Sequence, residues 1–164
     1  DWKKYAIETS KDNVRFIKKN FNYIDILTGT LENNNLDQKI KFDVIFFYHV
    51  IEHLEEPLIA IDKIKSLLKS NGLLILGTTN NSCFCSKIFG SKFRLLDPGH
   101  IFLPSYKQMT KILIEKGFKI EKTELPFFKT DYFNIKNIFK LFMFNQVSPP
   151  FYGNIMTLYA RKIQ

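Results

Sequence analysis

The sequence feature that most constrains the fold is a nearly continuous apolar segment, Phe42-Asp43-Val44-Ile45-Phe46-Phe47-Tyr48. A run of this kind is typical of a strand that is covered on both faces in a parallel sheet. A second run, Leu73 to Thr78, follows a helical pattern that begins at Pro57 and that we expect to end with Gly72 as its C-cap glycine. Two buried strands joined by a helix predict a βαβ unit.

Segments with strand and helix periods alternate along most of the chain. Helices are predicted after the N-cap residues Ser10 and Ser105, and the second of these helices should end at Gly117. This order of elements predicts an α/β fold. The other predicted strands are Lys4 to Glu8, Ile24 to Thr28, Phe118 to Leu125 and Asn154 to Arg161.

The length of 164 residues and the hydrophobic fraction of 45% predict a single packed domain, 1–164. No apolar run approaches the roughly 20 residues that span a bilayer. The first residues also lack the apolar stretch of a secretory signal, so a cytoplasmic protein is expected. Cys83 and Cys85 are too close in sequence for an ordinary disulfide framework and too few for a tetrahedral zinc site, which favours free thiols.

The net charge of +8 raises nucleic acid as a partner, but the distribution of the charge argues against it. The arginines are only Arg15, Arg94 and Arg161, and the lysines are spread over the whole length. Nucleic-acid surfaces usually cluster their charge and favour arginine. We therefore interpret the excess charge as a solvated lysine-rich surface.

In open α/β sheets, ligands bind beyond the carboxyl ends of the strands. Glu8 ends a predicted strand, where a carboxylate can accept hydrogen bonds from both hydroxyls of a ribose; a solvated carboxylate is the alternative. After the next strand, Thr28-Gly29-Thr30-Leu31-Glu32 forms a turn in which Leu31 could cover one face of a purine ring. An ordinary turn is the alternative there.

The segment Tyr48-His49-Val50-Ile51-Glu52-His53-Leu54 follows the predicted apolar strand Phe42 to Tyr48. Two histidines and a carboxylate at the end of a strand suggest a polar site and raise the question of a metal. The alternative is that Glu52 and His53 organise the turn through hydrogen bonds to the backbone.

Several motifs, in this order and spacing, resemble the central block of class I S-adenosylmethionine-dependent methyltransferases. The resemblance is strongest to the small-molecule group that contains the ubiquinone-biosynthesis O-methyltransferase, and it runs roughly from Tyr5 to Ile120. The motifs are Phe42-Asp43-Val44-Ile45, the turn His49 to Leu54 with Pro57, the segment Leu67 to Ile75, the loop Asp97-Pro98-Gly99-His100-Ile101-Phe102, and Lys111 to Phe118.

The resemblance implies a Rossmann-like, mostly parallel sheet with helices on both faces and the strand order 3-2-1-4-5-7-6. It also implies S-adenosyl-L-methionine as the cofactor and methyl transfer to a small-molecule acceptor, at oxygen. The cofactor-binding residues that it implies are Glu8 at the ribose, Thr30, Leu31 and Glu32 against the adenine, and Tyr48, His49 and Ile51 along the methionine moiety.

For a hydroxyl acceptor, the resemblance leaves two candidate catalytic bases. His100 lies in a loop over the substrate side and is preferred, and His49 is the second candidate. Histidine suits this role because its ordinary pKa lies near neutral pH. Some relatives have a glutamate where His49 stands, and no metal ligand is assigned.

One family feature has no counterpart in this sequence. The glycine-rich cofactor loop should follow the family's first strand, but no G-x-G pattern occurs and only four residues precede Tyr5. We therefore expect a chain that lacks the family's first strand and first helix. The edges of the neighbouring strands would then be unpaired unless they pair with each other or with another chain, as in a dimer.

The segment 127–150 is predicted to be an insertion or lid between the last two strands. Residues 127–144 carry an amphipathic pattern of Phe, Ile and Lys that would also suit a membrane surface, but packing as a lid is preferred. Three other functions stay open: a nicotinamide-dependent dehydrogenase, a non-catalytic methyltransferase-like remnant or interaction module, and a basic RNA methyltransferase.

Overall fold

The computed structural model describes residues 2–33, 36–37 and 39–163. The chain forms two compact units, Asp1–Lys41 and Phe42–Gln164. The single domain over 1–164 stays a prediction, and its end residues, Asp1 and Gln164, lie outside the described residues. In the described part of the chain, no helix is both long and apolar enough to cross a membrane.

The N-terminal unit is a βαβ motif. Strand β1 (Lys4–Glu8) pairs in parallel with β2 (Ile24–Thr28), and the two strands end side by side. Helix α1 (Lys11–Asn20) begins after Ser10, whose hydroxyl accepts a hydrogen bond from the Asn13 N–H. Both predicted strands and the predicted N-cap are therefore confirmed.

The C-terminal unit contains a four-stranded sheet and four α-helices. In chain order, its elements are β3 (Phe42–Tyr48), α2 (Pro57–Leu67), β4 (Leu68–Thr79), α3 (Phe84–Phe89), α4 (Tyr106–Glu115), β5 (Phe118–Glu124), α5 (Ile135–Lys140) and β6 (Ile155–Lys162). Short 3-10 helices, Ile51–His53 and Gly90–Lys92, follow β3 and α3. The α/β fold is confirmed.

The strand order in this sheet is β3-β4-β6-β5. Strand β6 runs antiparallel to both neighbours and β3 is parallel to β4, so three of the four strands share one direction. With the β1–β2 pair, these orders reproduce the 3-2 and 4-5-7-6 parts of the expected sheet, which confirms the Rossmann-like, mostly parallel arrangement. Among the described residues, no strand pairs with the other edge of β1 or of β3.

Strand β4, rather than β3, is the one covered on both faces. Successive residues Leu74, Ile75 and Leu76 are all buried. Strand β3, by contrast, is an edge strand of its sheet, and its Phe46 is 65% exposed. The expectation that the Phe42–Tyr48 strand is covered on both faces is therefore wrong for the described structure.

The core of the C-terminal unit combines the buried strands with the apolar stripes of α2 and α4. Burial of one such side chain contributes roughly 1.5–3 kcal/mol. The fully buried side chains include Ile61 and Ile64 of α2, Leu74 and Leu76 of β4, Met109 and Leu113 of α4, and Met156 and Leu158 of β6.

The end of α2 differs from the prediction. The helix ends at Leu67, β4 begins at once, and Asn71 rather than Gly72 adopts a positive φ, 61°. The Lys162 ammonium group donates to the carbonyls of Lys65 and Leu68 (both 2.9 Å), so a side chain from β6 satisfies the end of the helix. A glycine C-cap is therefore not needed, and the prediction for Gly72 is wrong.

The remaining boundaries lie close to prediction. The Ser105 cap and the turn at Gly117, with φ 82°, are confirmed. Strand β5 ends one residue before its predicted end, and β6 begins and ends one residue later than predicted. Helix α3 was not predicted, since it has only six residues in a stretch without clear periodicity. Helix α5 lies within residues 127–144, for which the sequence analysis noted an amphipathic pattern. Cys83 and Cys85 are free and buried.

Candidate functional site

The turn that follows β3 is held in shape by the backbone. The His49 N–H donates to the Gly77 carbonyl (2.9 Å), which continues the contact between β3 and β4. His49 itself has φ 51°, in the left-handed region. This conformation costs a non-glycine residue on the order of 1–3 kcal/mol and occurs most often at functional sites.

His49 and Glu52 form the central pair of the site. His49 Nδ1 lies 3.0 Å from Glu52 Oε1. Because a carboxylate can only accept, Nδ1 carries a hydrogen, and in the neutral imidazole Nε2 is left as an acceptor. Glu52 is fully buried, and its other oxygen accepts a hydrogen bond from the Thr78 hydroxyl (2.9 Å). A buried carboxylate that orients an imidazole in this way is the arrangement of base histidines in catalytic triads.

The surroundings favour the ionised form of both partners. The hydrogen bond to Glu52 raises the pKa of His49, although burial and the charge of Arg94 oppose the rise. Burial raises the pKa of the Glu52 carboxyl, but hydrogen bonds from His49, from its own backbone N–H and from Thr78 outweigh burial and lower this pKa overall. The pair therefore contains a histidine that titrates above its ordinary range.

The loop that contains His100 is docked onto the same turn. The N–H groups of Ile101 and Phe102 both donate to the backbone carbonyl of Glu52, at 2.9 and 3.1 Å. Glu52 therefore does organise this region through backbone hydrogen bonds, as the alternative interpretation of the turn proposed. Its carbonyl fixes the loop while its carboxylate holds His49.

His53 and His100 lie side by side, with ring centroids 4.8 Å apart. Their Nδ1 atoms lie 2.8 Å from the carbonyls of Gly99 and Leu95, respectively, so each Nε2 is left as an acceptor. Glu52, His53 and His100 could hold a metal ion, since one ligand atom of each lies within 4.8 Å of the others. Both carboxylate oxygens already accept hydrogen bonds, however, and we interpret Glu52 as the partner of His49.

Arg94 is a partly buried cation at the start of this loop. Its Nε is buried without a hydrogen-bond partner, and no carboxylate in the described ranges forms an ion pair with it. Its guanidinium carbon lies 5.9 Å from the centroid of the Tyr132 ring. An unsatisfied buried donor costs about 1–3 kcal/mol, so Arg94 is suited to bind an anionic group.

Tyr48 and Ile51, the other predicted residues of the turn, differ in exposure. The Tyr48 ring is exposed and covers Gly77, where any Cβ would clash with it. Ile51 is fully buried in the core, and its carbonyl accepts a hydrogen bond from the Leu54 N–H, so neither its side chain nor its backbone is exposed. The structure thus brings His49, His100 and Tyr48 to one region of the C-terminal unit and leaves the Ile51 side chain out of it.

The remaining predicted residues, Glu8, Thr30, Leu31 and Glu32, lie in the N-terminal unit. The backbone N–H of Ser10 donates to the Glu8 carboxylate (2.8 Å), and this hydrogen bond holds the pKa of Glu8 below its ordinary value. Gly29 has φ 133°, and its N–H donates to the Glu8 carbonyl (3.0 Å), so glycine permits the tight turn after β2. Leu31 is half-buried, and Thr30 and Glu32 are exposed.

Sequence reasoning missed two residues of this site, Thr78 and Arg94. Thr78 lies near the carboxyl end of a predicted strand, and the rule that ligands bind at strand ends could have identified it. Arg94 lies in a stretch without periodicity. No local signal marks it, because its unpaired state depends on which side chains surround it in the fold.

Comparison with known proteins gives these residues a context. A family model described as "Methyltransferase domain" matches residues 2–123, which include every predicted site residue. The mitochondrial ubiquinone biosynthesis O-methyltransferase of Dictyostelium discoideum is 30% identical over 100 residues. That match covers 58% of this chain and 30% of the Dictyostelium protein, so the chain spans less than a third of this relative's length.

Solved structures with low sequence identity share the fold. A SAM-dependent methyltransferase from Thermotoga maritima has a TM-score of 0.70 at 19% identity, and the match covers 97% of this chain and 72% of that chain. Magnesium protoporphyrin IX methyltransferase from Synechocystis PCC 6803, solved with bound SAH, has a TM-score of 0.61 at 20% identity, and the match covers 96% of this chain and 63% of that chain. At these identities, the similarity establishes the fold alone.

Proposed function

Because this chain belongs to the methyltransferase domain family, we propose that it serves in S-adenosyl-L-methionine-dependent methyl transfer to an oxygen of a small-molecule acceptor. The observation that carries the proposal is the His49–Glu52 pair, which lies within the region that matches the family model. The similarity to an O-methyltransferase supports oxygen as the acceptor atom. A hydroxyl acceptor needs a base, and His49 is a half-exposed histidine with a buried carboxylate behind it.

The residues present fit the adenosine part of the cofactor. Glu8 is ionised at neutral pH, as a glutamate ordinarily is, and the hydrogen bond from the Ser10 N–H lowers its pKa further. A carboxylate can accept several hydrogen bonds, so ribose hydroxyls suit it. Thr30, Leu31 and Glu32 would lie against the adenine. In the C-terminal unit, Tyr48 and His49 would lie along the methionine moiety, and the fully buried Ile51 would act only by packing the turn against the core.

Bound S-adenosyl-L-methionine supplies an electrophilic methyl group on a sulfonium ion. The task of the chain is then to hold the acceptor oxygen in line with that group and to remove its proton. In this proposal, His49 Nε2 accepts the proton that the acceptor hydroxyl loses. Glu52 keeps Nδ1 protonated and stabilises the imidazolium that forms. His100 ranks second as a base because a backbone carbonyl, rather than a carboxylate, holds its Nδ1.

Arg94 supports an acceptor that carries a negative charge. Its buried Nε has no partner, and its charge is close enough to His49 to oppose the rise in the pKa of that residue. An arginine binds a carboxylate through two parallel hydrogen bonds, which would satisfy the unpaired donor. A phenol or catechol with a carboxylate on the ring has both features.

Transfer from methyl-labelled S-adenosyl-L-methionine tests this function. The acceptors are matched pairs of phenols and catechols, with and without a ring carboxylate, and a set of amines. We expect label in an O-methyl product, with the carboxylated member of each pair preferred. Label that appears only on amine acceptors would contradict oxygen as the acceptor atom. Label in no acceptor, under conditions in which the chain is folded, would contradict methyl transfer.

A further inference from the structure

The segment between β5 and β6 presents large apolar side chains outward. Phe127 is buried and anchors the segment, with ring centroids 5.4 Å from Phe133 and 4.9 Å from Phe151. Beyond this anchor, Phe139 and Phe142 are 65% and 73% exposed. Packing against the core therefore explains Phe127 but leaves most of the surface of the outer side chains exposed.

Helix α3 extends the same apolar surface. Phe84 lies 5.9 Å from Phe151 and Phe89 lies 5.9 Å from Phe144, both measured between ring centroids. The exposed apolar side chains of these two segments that we call the aromatic face are Phe84, Ile88, Phe133, Ile135, Phe139 and Phe142. Exposed apolar surfaces of this kind mark sites of interaction with proteins or membranes.

Nearly all charged side chains on these two segments are basic. Asp131 is the only acid in residues 84–96 and 127–152. Lys92 Nζ lies 3.5 Å from the Phe144 carbonyl, which places a cation at the edge of the aromatic face. The other basic residues of the two segments are Lys87, Arg94, Lys129, Lys136 and Lys140, and all of the lysines are exposed.

We propose that the aromatic face binds the surface of an anionic lipid membrane, with its phenylalanines at the boundary between headgroups and acyl chains. Aromatic side chains favour this depth, and lysines beside them are attracted to anionic headgroups. A second copy of this chain could also cover the face. Such a dimer would bring two lysine-rich surfaces together, however, and like charges across an interface are unfavourable.

Co-sedimentation with vesicles tests this proposal. We expect the chain to bind vesicles of phosphatidylcholine mixed with phosphatidylserine, to bind pure phosphatidylcholine vesicles much less, and to be released by salt. Combining Lys136→Gln with Lys140→Gln should weaken binding to the mixed vesicles about 30-fold, roughly fivefold for each lysine. Combining Phe139→Ser with Phe142→Ser should also weaken it, because the inserted apolar surface is lost.

The matched control combines Lys111→Gln with Ile114→Ser on α4. Both side chains are exposed, and neither belongs to the two segments that form the aromatic face. This control should bind as the unchanged chain does. Because all substituted side chains are exposed, circular dichroism and the thermal midpoint should stay the same in every variant. Vesicle binding does not depend on methyl transfer, so the two proposals can fail separately.

Equal binding to both kinds of vesicle, or binding to neither, would overturn the proposal. Self-association that the Phe139→Ser and Phe142→Ser pair abolishes, without vesicle binding, would assign the face to a second copy of the chain. A changed KM for the acceptor in this variant, with unchanged vesicle binding, would instead show that the segment 127–150 acts as a lid over the acceptor.

Discussion

The two units of the chain hold their proposed functional residues in different ways. In the N-terminal unit, the contact that fixes Glu8 is local, since its carboxylate binds the N–H of Ser10, two residues away. In the C-terminal unit, the corresponding contacts join distant parts of the sequence, such as Glu52 with Thr78. Burial differs likewise, because Val14 is the only buried hydrophobic side chain among the described residues of the N-terminal unit.

This difference shows where a strained, reactive geometry can be maintained. A histidine keeps a left-handed backbone conformation only when several independent contacts of the surrounding structure hold it there. The C-terminal unit meets this condition for His49 through a four-stranded sheet, a buried carboxylate and a docked loop. A two-stranded sheet is marginal by itself, and the N-terminal unit is accordingly proposed to supply binding groups rather than the base.

The largest expected effect is that of His49→Asn. Asparagine tolerates the left-handed conformation, so the turn should survive while the base is lost. We expect kcat for O-methyl transfer to fall about 10²- to 10⁴-fold, the usual contribution of a general base, with an unchanged Kd for the cofactor product. Steady-state kinetics and calorimetry measure the two quantities. His100→Asn is the matched control, and an equal loss of kcat there alone would transfer the role of base to His100.

Truncating a buried side chain should lower the free energy of unfolding more in the C-terminal unit than in the N-terminal unit. Leu76→Ala, at a fully buried position of β4, should lower the free energy of unfolding by about 2–5 kcal/mol. Val14→Ala in α1 should cost less, about 1.5 kcal/mol at roughly 0.8 kcal/mol for each carbon removed. Urea denaturation measures both changes. Equal losses at the two positions would mean that the units are packed equally well.

Arg94→Gln should act on the acceptor alone. Loss of a charged hydrogen bond should raise the KM for a carboxylated phenol about 10- to 100-fold and leave the KM for the uncharged member of the pair unchanged. Arg94→Lys should restore part of the affinity, because it keeps the charge but loses the planar fork. An equal rise in KM for both acceptors would show that Arg94 only supports the fold.

The smallest effect is a shift in pH dependence. Because Glu52 raises the pKa of His49, the stability from this pair is fully present below pH 6.5 and is lost as pH rises through the pKa of the folded state. At the acid end, this stability is present above pH 4.5 and is lost as pH falls through the lowered pKa of Glu52. The rate of methyl transfer should depend on pH in the opposite direction. Because His49 must be neutral to act as a base, the rate should rise as pH rises through the pKa of His49.

Glu52→Gln should lower the pKa of His49 toward its ordinary value, and the rising limb of the rate profile should then move to lower pH. NMR titration of the imidazole signals measures this pKa directly. A His49 pKa at or below 6.5 in the unchanged chain would rule out the ion pair with Glu52.

The features that local sequence determines were predictable. The ends of β1 and β2 and the Ser105 cap depend on apolar periodicity and on residues within a few positions of one another. The end of α2 was not predictable, because the ammonium group that satisfies it comes from Lys162, 94 to 97 residues away. Likewise, the resemblance indicated His49, but only the fold shows that Thr78 holds the carboxylate behind it.

Calorimetric titration of S-adenosylhomocysteine into this chain tests the proposed methyltransferase function most directly. We expect saturable binding at one site, about tenfold or more weaker in Glu8→Gln because a charged hydrogen bond to the ribose is lost. Binding to Arg94→Gln should be unchanged, since Arg94 is assigned to the acceptor. A folded chain that binds no S-adenosylhomocysteine would contradict the proposed function.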